Sequence, residues 1–124
     1  MKSKFKTSCR VEVSDRSGMF VLTDALIYYS ERLGRDIIAP IGFETDFASI
    51  PCLFRSIIKV NGKHRKPAVI HDYLCENGEK EGVTQSESDH VFQEAMDAVD
   101  VRRTQNAVMF GMVRAYQIIK GLFT

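Results

Sequence analysis

Near residue 50 the spacing of apolar residues changes. Before it they fall on alternate positions: over residues 7–13, Cys9, Val11 and Val13 lie on one side, Arg10 and Glu12 on the other. After it they recur at intervals of three and four, as in Phe92, Met96 and Val99. A period of two lays one face of a strand on a core, and a period near 3.6 does the same for a helix. A chain that switches once is expected to run strands first and helices afterwards, which is the α+β class. The fold expected is an N-terminal antiparallel β-meander packed against three or four C-terminal helices. At 124 residues, one domain spanning 1–124 is expected, mostly strands over 1–45 and mostly helices over 50–124. A domain of that size hides roughly two-thirds of its extended-chain surface, enough for a real core.

Turn chemistry divides the first third. Asp15-Arg16-Ser17-Gly18 separates the strand at 7–13 from one beginning at Met19. Ala25 to Tyr29 is β-branched and aromatic enough for another. Arg32 to Arg35 turns into a short strand at 36–39, which Pro40 and Gly42 end. Lys2, Lys4 and Lys6 read as a solvated edge strand, since charged side chains discourage edge-to-edge pairing.

Ser49 and Pro51 are a cap and a first-turn residue for a short helix over Pro51–Ile58. Pro67 opens a second helix, Ala68 to about Cys75, which Asn77-Gly78 stops. Thr84-Gln85-Ser86-Glu87 has the Thr-x-x-Glu pattern of a capping box. The last helix runs from about Thr104 to Lys120. Its apolar residues are Val108, Met109, Met112, Val113, Tyr116 and Ile119, and Phe92 and Met96 are expected to pack near Val108 and Met112. Gly111 in mid-helix costs about 1 kcal/mol against Ala, so close helix packing is expected there.

Composition narrows the function more than it identifies it. A net charge of +1 indicates neither a nucleic-acid nor a membrane partner. Cys9, Cys52 and Cys75 are odd in number and lack CxxC spacing, which argues against a disulfide framework or a zinc ribbon. The polar first ten residues are not a signal peptide, so cytosol or a particle assembled in it is the expected place.

The polar groups suited to chemistry gather where sheet gives way to helix. They are Asp46 and Ser49 in Thr45-Asp46-Phe47-Ala48-Ser49-Ile50-Pro51, the pair His71-Asp72, and Asp89. Successive helical residues point about 100° apart, so His71 and Asp72 address different neighbours. Asp89 lies three residues before Phe92 on an apolar stripe, and a carboxylate facing a core needs a partner, which His71 would supply. Each residue also has a plainer role. His71 can be a buried histidine bonded to a carboxylate, Asp46 an Asx-turn, Ser49 a helix cap, and Asp89 a first-turn acid complementing the helix dipole. His64 and His90 read as surface residues.

The same segments carry a resemblance. Gly42-Phe43-Glu44-Thr45-Asp46-Phe47-Ala48-Ser49-Ile50-Pro51, His71-Asp72-Tyr73-Leu74, Asp89 to Phe92 and Gly111 occur in the order seen in the domain of unknown function 1353 family. That family consists of small proteins encoded mainly by phages and prophages. Phe47 stands where it often has Gly, and Cys75 where it often has Tyr; neither departure removes a polar site group. The resemblance implies a phage context and supplies no established activity. The His-Asp dipeptide is also similar to that of secreted phospholipases A2 and of His-Asp phosphohydrolases. The chain lacks the glycine-rich calcium loop and disulfides of the first; for the second, His64 is too near to be the upstream His, and the N-terminal third looks like sheet.

Two functional expectations follow. One is a hydrolase-like polar site with His71, Asp72, Asp46 and Ser49 as catalytic candidates. A divalent metal there would take Asp46, His71, Asp72 and Asp89, an oxygen-rich set with one imidazole. The other is a non-catalytic virion or tail-associated protein, partnered by other phage virion or tail proteins, in which the same residues lock sheet to helices.

Overall fold

A computed structural model of the chain describes residues 1–16, 19–45, 63 and 65–122. The helix expected over Pro51–Ile58, together with Asp46, Ser49, Cys52 and His64, lies outside the described residues. The strands are β1 (Lys4–Phe5), β2 (Val11–Val13), β3 (Phe20–Leu22), β4 (Leu26–Ser30), β5 (Arg35–Ala39) and β6 (Glu44–Thr45). The helices are α1 (Arg65–Glu81), α2 (Gln85–Ala98) and α3 (Arg103–Leu122). Strands therefore precede helices, and the class is α+β.

The strands do not make one continuous meander. They form two three-stranded antiparallel sheets, ordered β1-β4-β5 and β2-β3-β6. The alternation over 7–13 is one strand only at 11–13, because Thr7 is used differently. Its hydroxyl donates to the Ala25 carbonyl at 3.1 Å and accepts from the Ile27 amide at 3.0 Å. The Lys6 amide adds a bond to the Ile27 carbonyl at 2.8 Å. These bonds tie the first strand to β4, and the chain then leaves to begin the second sheet. β4 sets the inner face: Leu26, Tyr28 and Ser30 are buried, while Ile27 and Tyr29 are half-buried.

α1 runs further than the Asn-Gly pair suggests. Asn77 adopts φ −118°, ψ 20°, and its side-chain amide donates to the Tyr73 carbonyl at 3.0 Å. The helix kinks there and continues to Glu81. Gly78 is needed at the bend, because an added Cβ would meet the Val83 carbonyl oxygen at 2.7 Å. The capping box forms in both directions: the Glu87 amide donates to Thr84 Oγ1 at 3.1 Å, and the Thr84 amide donates to Glu87 Oε1 at 3.2 Å.

Sheet residues Leu22, Leu26, Tyr28, Ile37 and Ala39 pack on Val69, Ile70, Tyr73 and Leu74 of α1 and on Val91 and Ala95 of α2. A second cluster joins Ala68, Phe92, Met96, Val101 and Met109, with Met112 and Val113 at its edge. Val108 is not part of it. It is 42% exposed, and Met109, 2% exposed, takes the expected place because α3 is rotated by one residue from the sequence reading. Gly111 likewise has no atom within 4 Å of an added Cβ, so the close packing expected there is absent within the described chain.

Candidate functional site: a buried carboxylate shared by three helices

α2 starts at a firm cap, and this fixes which way its first turns face. Asp89, Phe92 and Met96 recur at helical spacing and all point inward. Asp89 is fully buried, so both carboxylate oxygens must find donors within the protein. His71 of α1, itself 4% exposed, approaches Oδ1 through Nε2 at 2.7 Å. Gln85, one turn earlier on α2, donates its amide to the same oxygen at 3.2 Å. Arg114 of α3 donates to Oδ2 at 2.9 Å. One carboxylate thus receives donors from all three helices, two of them able to carry positive charge.

The imidazole is held on its other sides as well. Its ring lies 4.9 Å from that of Phe92, tilted by 37°. Cys75, four residues on and therefore on the same face of α1, places Sγ 3.5 Å from Nε2 and 3.9 Å from Nδ1. Ser88 Oγ lies 3.5 Å from that sulfur, and the Gln85 amide donates to it at 3.3 Å.

These contacts set the charges. Burial alone pushes the His71 imidazolium towards losing its proton, but bonding to Asp89 and Cys75 outweighs it and holds the pKa up at about 9. Burial likewise pushes the Asp89 carboxyl up, yet His71 and Arg114 bring it below the usual carboxylate range. The Cys75 thiol, raised by burial, is brought below its ordinary value chiefly by His71, with help from Gln85 and Ser88.

A pH dependence follows. The unfolded His71 titrates near 6.5 and the folded one near 9. Its contribution is therefore complete below pH 6.5 and lost as pH rises through 9. Stability should fall across that window by on the order of 3 kcal/mol. Urea melts of the wild-type chain at a series of pH values check this, because Cys75 itself contributes to the shift. A profile that is flat, or the same in His71→Gln, would contradict the assignment.

Of the sequence candidates, the structure brings together His71 and Asp89. Asp72, the next residue on α1, is turned to the sheet and accepts the Thr45 hydroxyl at 2.6 Å. Asp46 and Ser49 lie outside the described residues. His90, read as a surface residue, is half-buried on α2, its ring 5.0 Å from that of Phe110 and Nδ1 2.7 Å from the Ser86 carbonyl.

Among the described residues, no group of three or more His, Cys, Asp or Glu side chains is placed to hold a metal ion. His71 and Arg114 each hold one oxygen of Asp89, so a cation there would sit against two groups able to carry positive charge. Three groups that sequence reasoning passed over, Arg114, Gln85 and Cys75, complete the cluster. The four-residue spacing of His71 and Cys75 was the available signal for the thiol.

A second polar clamp joins sheet to helix. Glu94 of α2 accepts from the Tyr28 hydroxyl at 2.6 Å, from the Ser30 hydroxyl at 2.8 Å and from the Arg32 amide at 2.8 Å. Glu81 at the end of α1 accepts from Arg35 at 3.0 Å and from the Tyr73 hydroxyl at 2.8 Å. These acids read as solvated surface in the sequence but are fixed to the sheet in the fold.

Neither a curated protein nor a solved structure matches the chain. A family model described as "Protein of unknown function (DUF1353)" matches residues 20–113, from the start of β3 into α3 and well over half of the sequence. The chain belongs to the domain of unknown function 1353 family.

Proposed function

We propose that the domain is a non-catalytic structural protein of a phage particle, virion- or tail-associated, in which the His71–Asp89–Arg114 cluster locks the helices in place. The observation that carries this reading is the full burial of Asp89 with donors on both oxygens. A carboxylate so engaged and fully buried is closed off from a substrate. His71, held protonated to about pH 9, is not poised as a general base near neutrality. The phage context rests on the TDFASIP and HDYL motifs and their likeness to proteins encoded mainly by phages. Such an assembly would supply the partners, namely other virion or tail proteins.

One observation favours the hydrolase-like alternative. Cys75 Sγ lies beside a protonated imidazole, the arrangement that activates cysteine nucleophiles. A combined experiment separates the two. For the structural role, the chain should copurify with isolated phage particles, and His71→Ala should lower its melting temperature. The alternative would prevail if particles lacked the chain and it released nitrophenol from an activated ester in a burst lost in Cys75→Ser at unchanged melting temperature.

A further inference from the structure

The outward face of α3 carries no charge. At about 100° per residue, Thr104, Ala107, Val108, Gly111, Ala115, Ile118 and Ile119 fall within an arc of about 120°, and all are exposed. Val108, Ile118 and Ile119 are 42%, 57% and 53% exposed. The opposite face meets the core through Met109 and the half-buried Met112 and Val113. A helix apolar on both faces is the pattern of a buried element. Gly111 points the same way. It weakens the helix, and the space beside it is open, so nothing among the described residues calls for a missing side chain.

We infer that this face is the interface between two copies of the chain, packed with their α3 helices antiparallel about a two-fold axis near Val113. The stripe is complementary to itself in that register. Ala107 lies against Ile118 along one edge and Val108 against Ile119 along the other, while Gly111 meets Ala115 in the middle, so apolar residues meet along both flanks and small residues face each other at the crossing. Such reciprocity is what a two-fold interface requires, and the small centre lets the two backbones approach. Charge supports the same orientation. α3 begins with the exposed pair Arg102-Arg103, has no acidic residue in its first turn, and contains no Asp or Glu. Cations at a helix N-terminus oppose its own dipole, and an antiparallel copy places them at the partner's C-terminal carbonyls, where they are favoured. A parallel arrangement would stack the arginines on each other.

Sedimentation equilibrium of the full chain over the micromolar range tests the inference, with Gly111→Leu and Ile118→Glu as variants. A dimer is expected, with its dissociation constant raised at least about tenfold by either change. The far-ultraviolet helix signal should be retained, because both positions are open in the single chain. Gly111→Ala is a control for the monomer and should leave it at least as stable. A chain monomeric at every concentration would overturn the inference, as would a dimer that both variants leave intact. A monomer whose melting temperature falls on Ile118→Glu would overturn it in favour of cover by another segment of the same chain. A monomer that binds anionic vesicles through this face would overturn it in favour of a lipid surface.

Discussion

Asp89→Ala should destabilise the domain by about 3–5 kcal/mol, the usual result of removing one partner from a buried charge cluster. The substitution leaves the His71 imidazolium, 4% exposed, and the Arg114 guanidinium facing each other without the anion between them. For a domain of this size that is a loss of more than about 10 °C in melting temperature. Calorimetry or denaturant melts read it directly. The test is sharpened by replacing His71, Asp89 and Arg114 together with apolar residues of similar size. Such replacements are often neutral or stabilising elsewhere, because the desolvation cost of the ions disappears with them. A triple variant close to wild type beside a crippled single variant would show that the cluster specifies the helix arrangement more than it strengthens it. A loss below about 1 kcal/mol in Asp89→Ala would mean that water reaches the carboxylate.

The second large effect is expected at Phe92. Its side chain is fully buried among Ala68, Met96, Val101 and Met109, and its ring lies 4.9 Å from that of His71. Phe92→Ala removes that packing and leaves a cavity between three helices, at a cost of about 3–5 kcal/mol in denaturant melts. A change under about 1 kcal/mol would show that the helices close over the gap. The losses at Phe92 and Asp89 should not add, because both act on the His71 ring.

The α+β order was legible because the period of the apolar residues changes once, and the capping box at Thr84 because its two halves are three residues apart. The contact between His71 and Asp89 was legible for a chemical reason: a carboxylate on the Phe92 stripe has to be satisfied, and the nearest imidazole on an apolar helix is His71. What was not legible depends on long-range geometry. The pairing of β1 with β4 follows from Thr7 bonding to Ala25 and Ile27, which no local pattern announces. Arg114 looks like an ordinary solvated cation until the rotation of α3 is known. The same rotation moved Val108 and Gly111 from the inner face to the outer one. Glu94 sits two residues from Phe92, and nothing near it in sequence hints at its three donors in the sheet.

Those donors lie 62 to 66 residues away along the chain, whereas His71 and Asp89 are 18 apart. Closing the longer loop costs about 1 kcal/mol more in chain entropy by the logarithmic law. Local pairings also form earlier as a rule. The hairpin of α1 and α2 is therefore expected to assemble before it docks on β4, with Glu94 engaging as the two halves meet, which a φ-value near zero at Glu94 would check. A contact made that late does little to hasten folding. It slows the reverse reaction instead, so Glu94 bears more on the lifetime of the finished domain than on the speed with which it is reached.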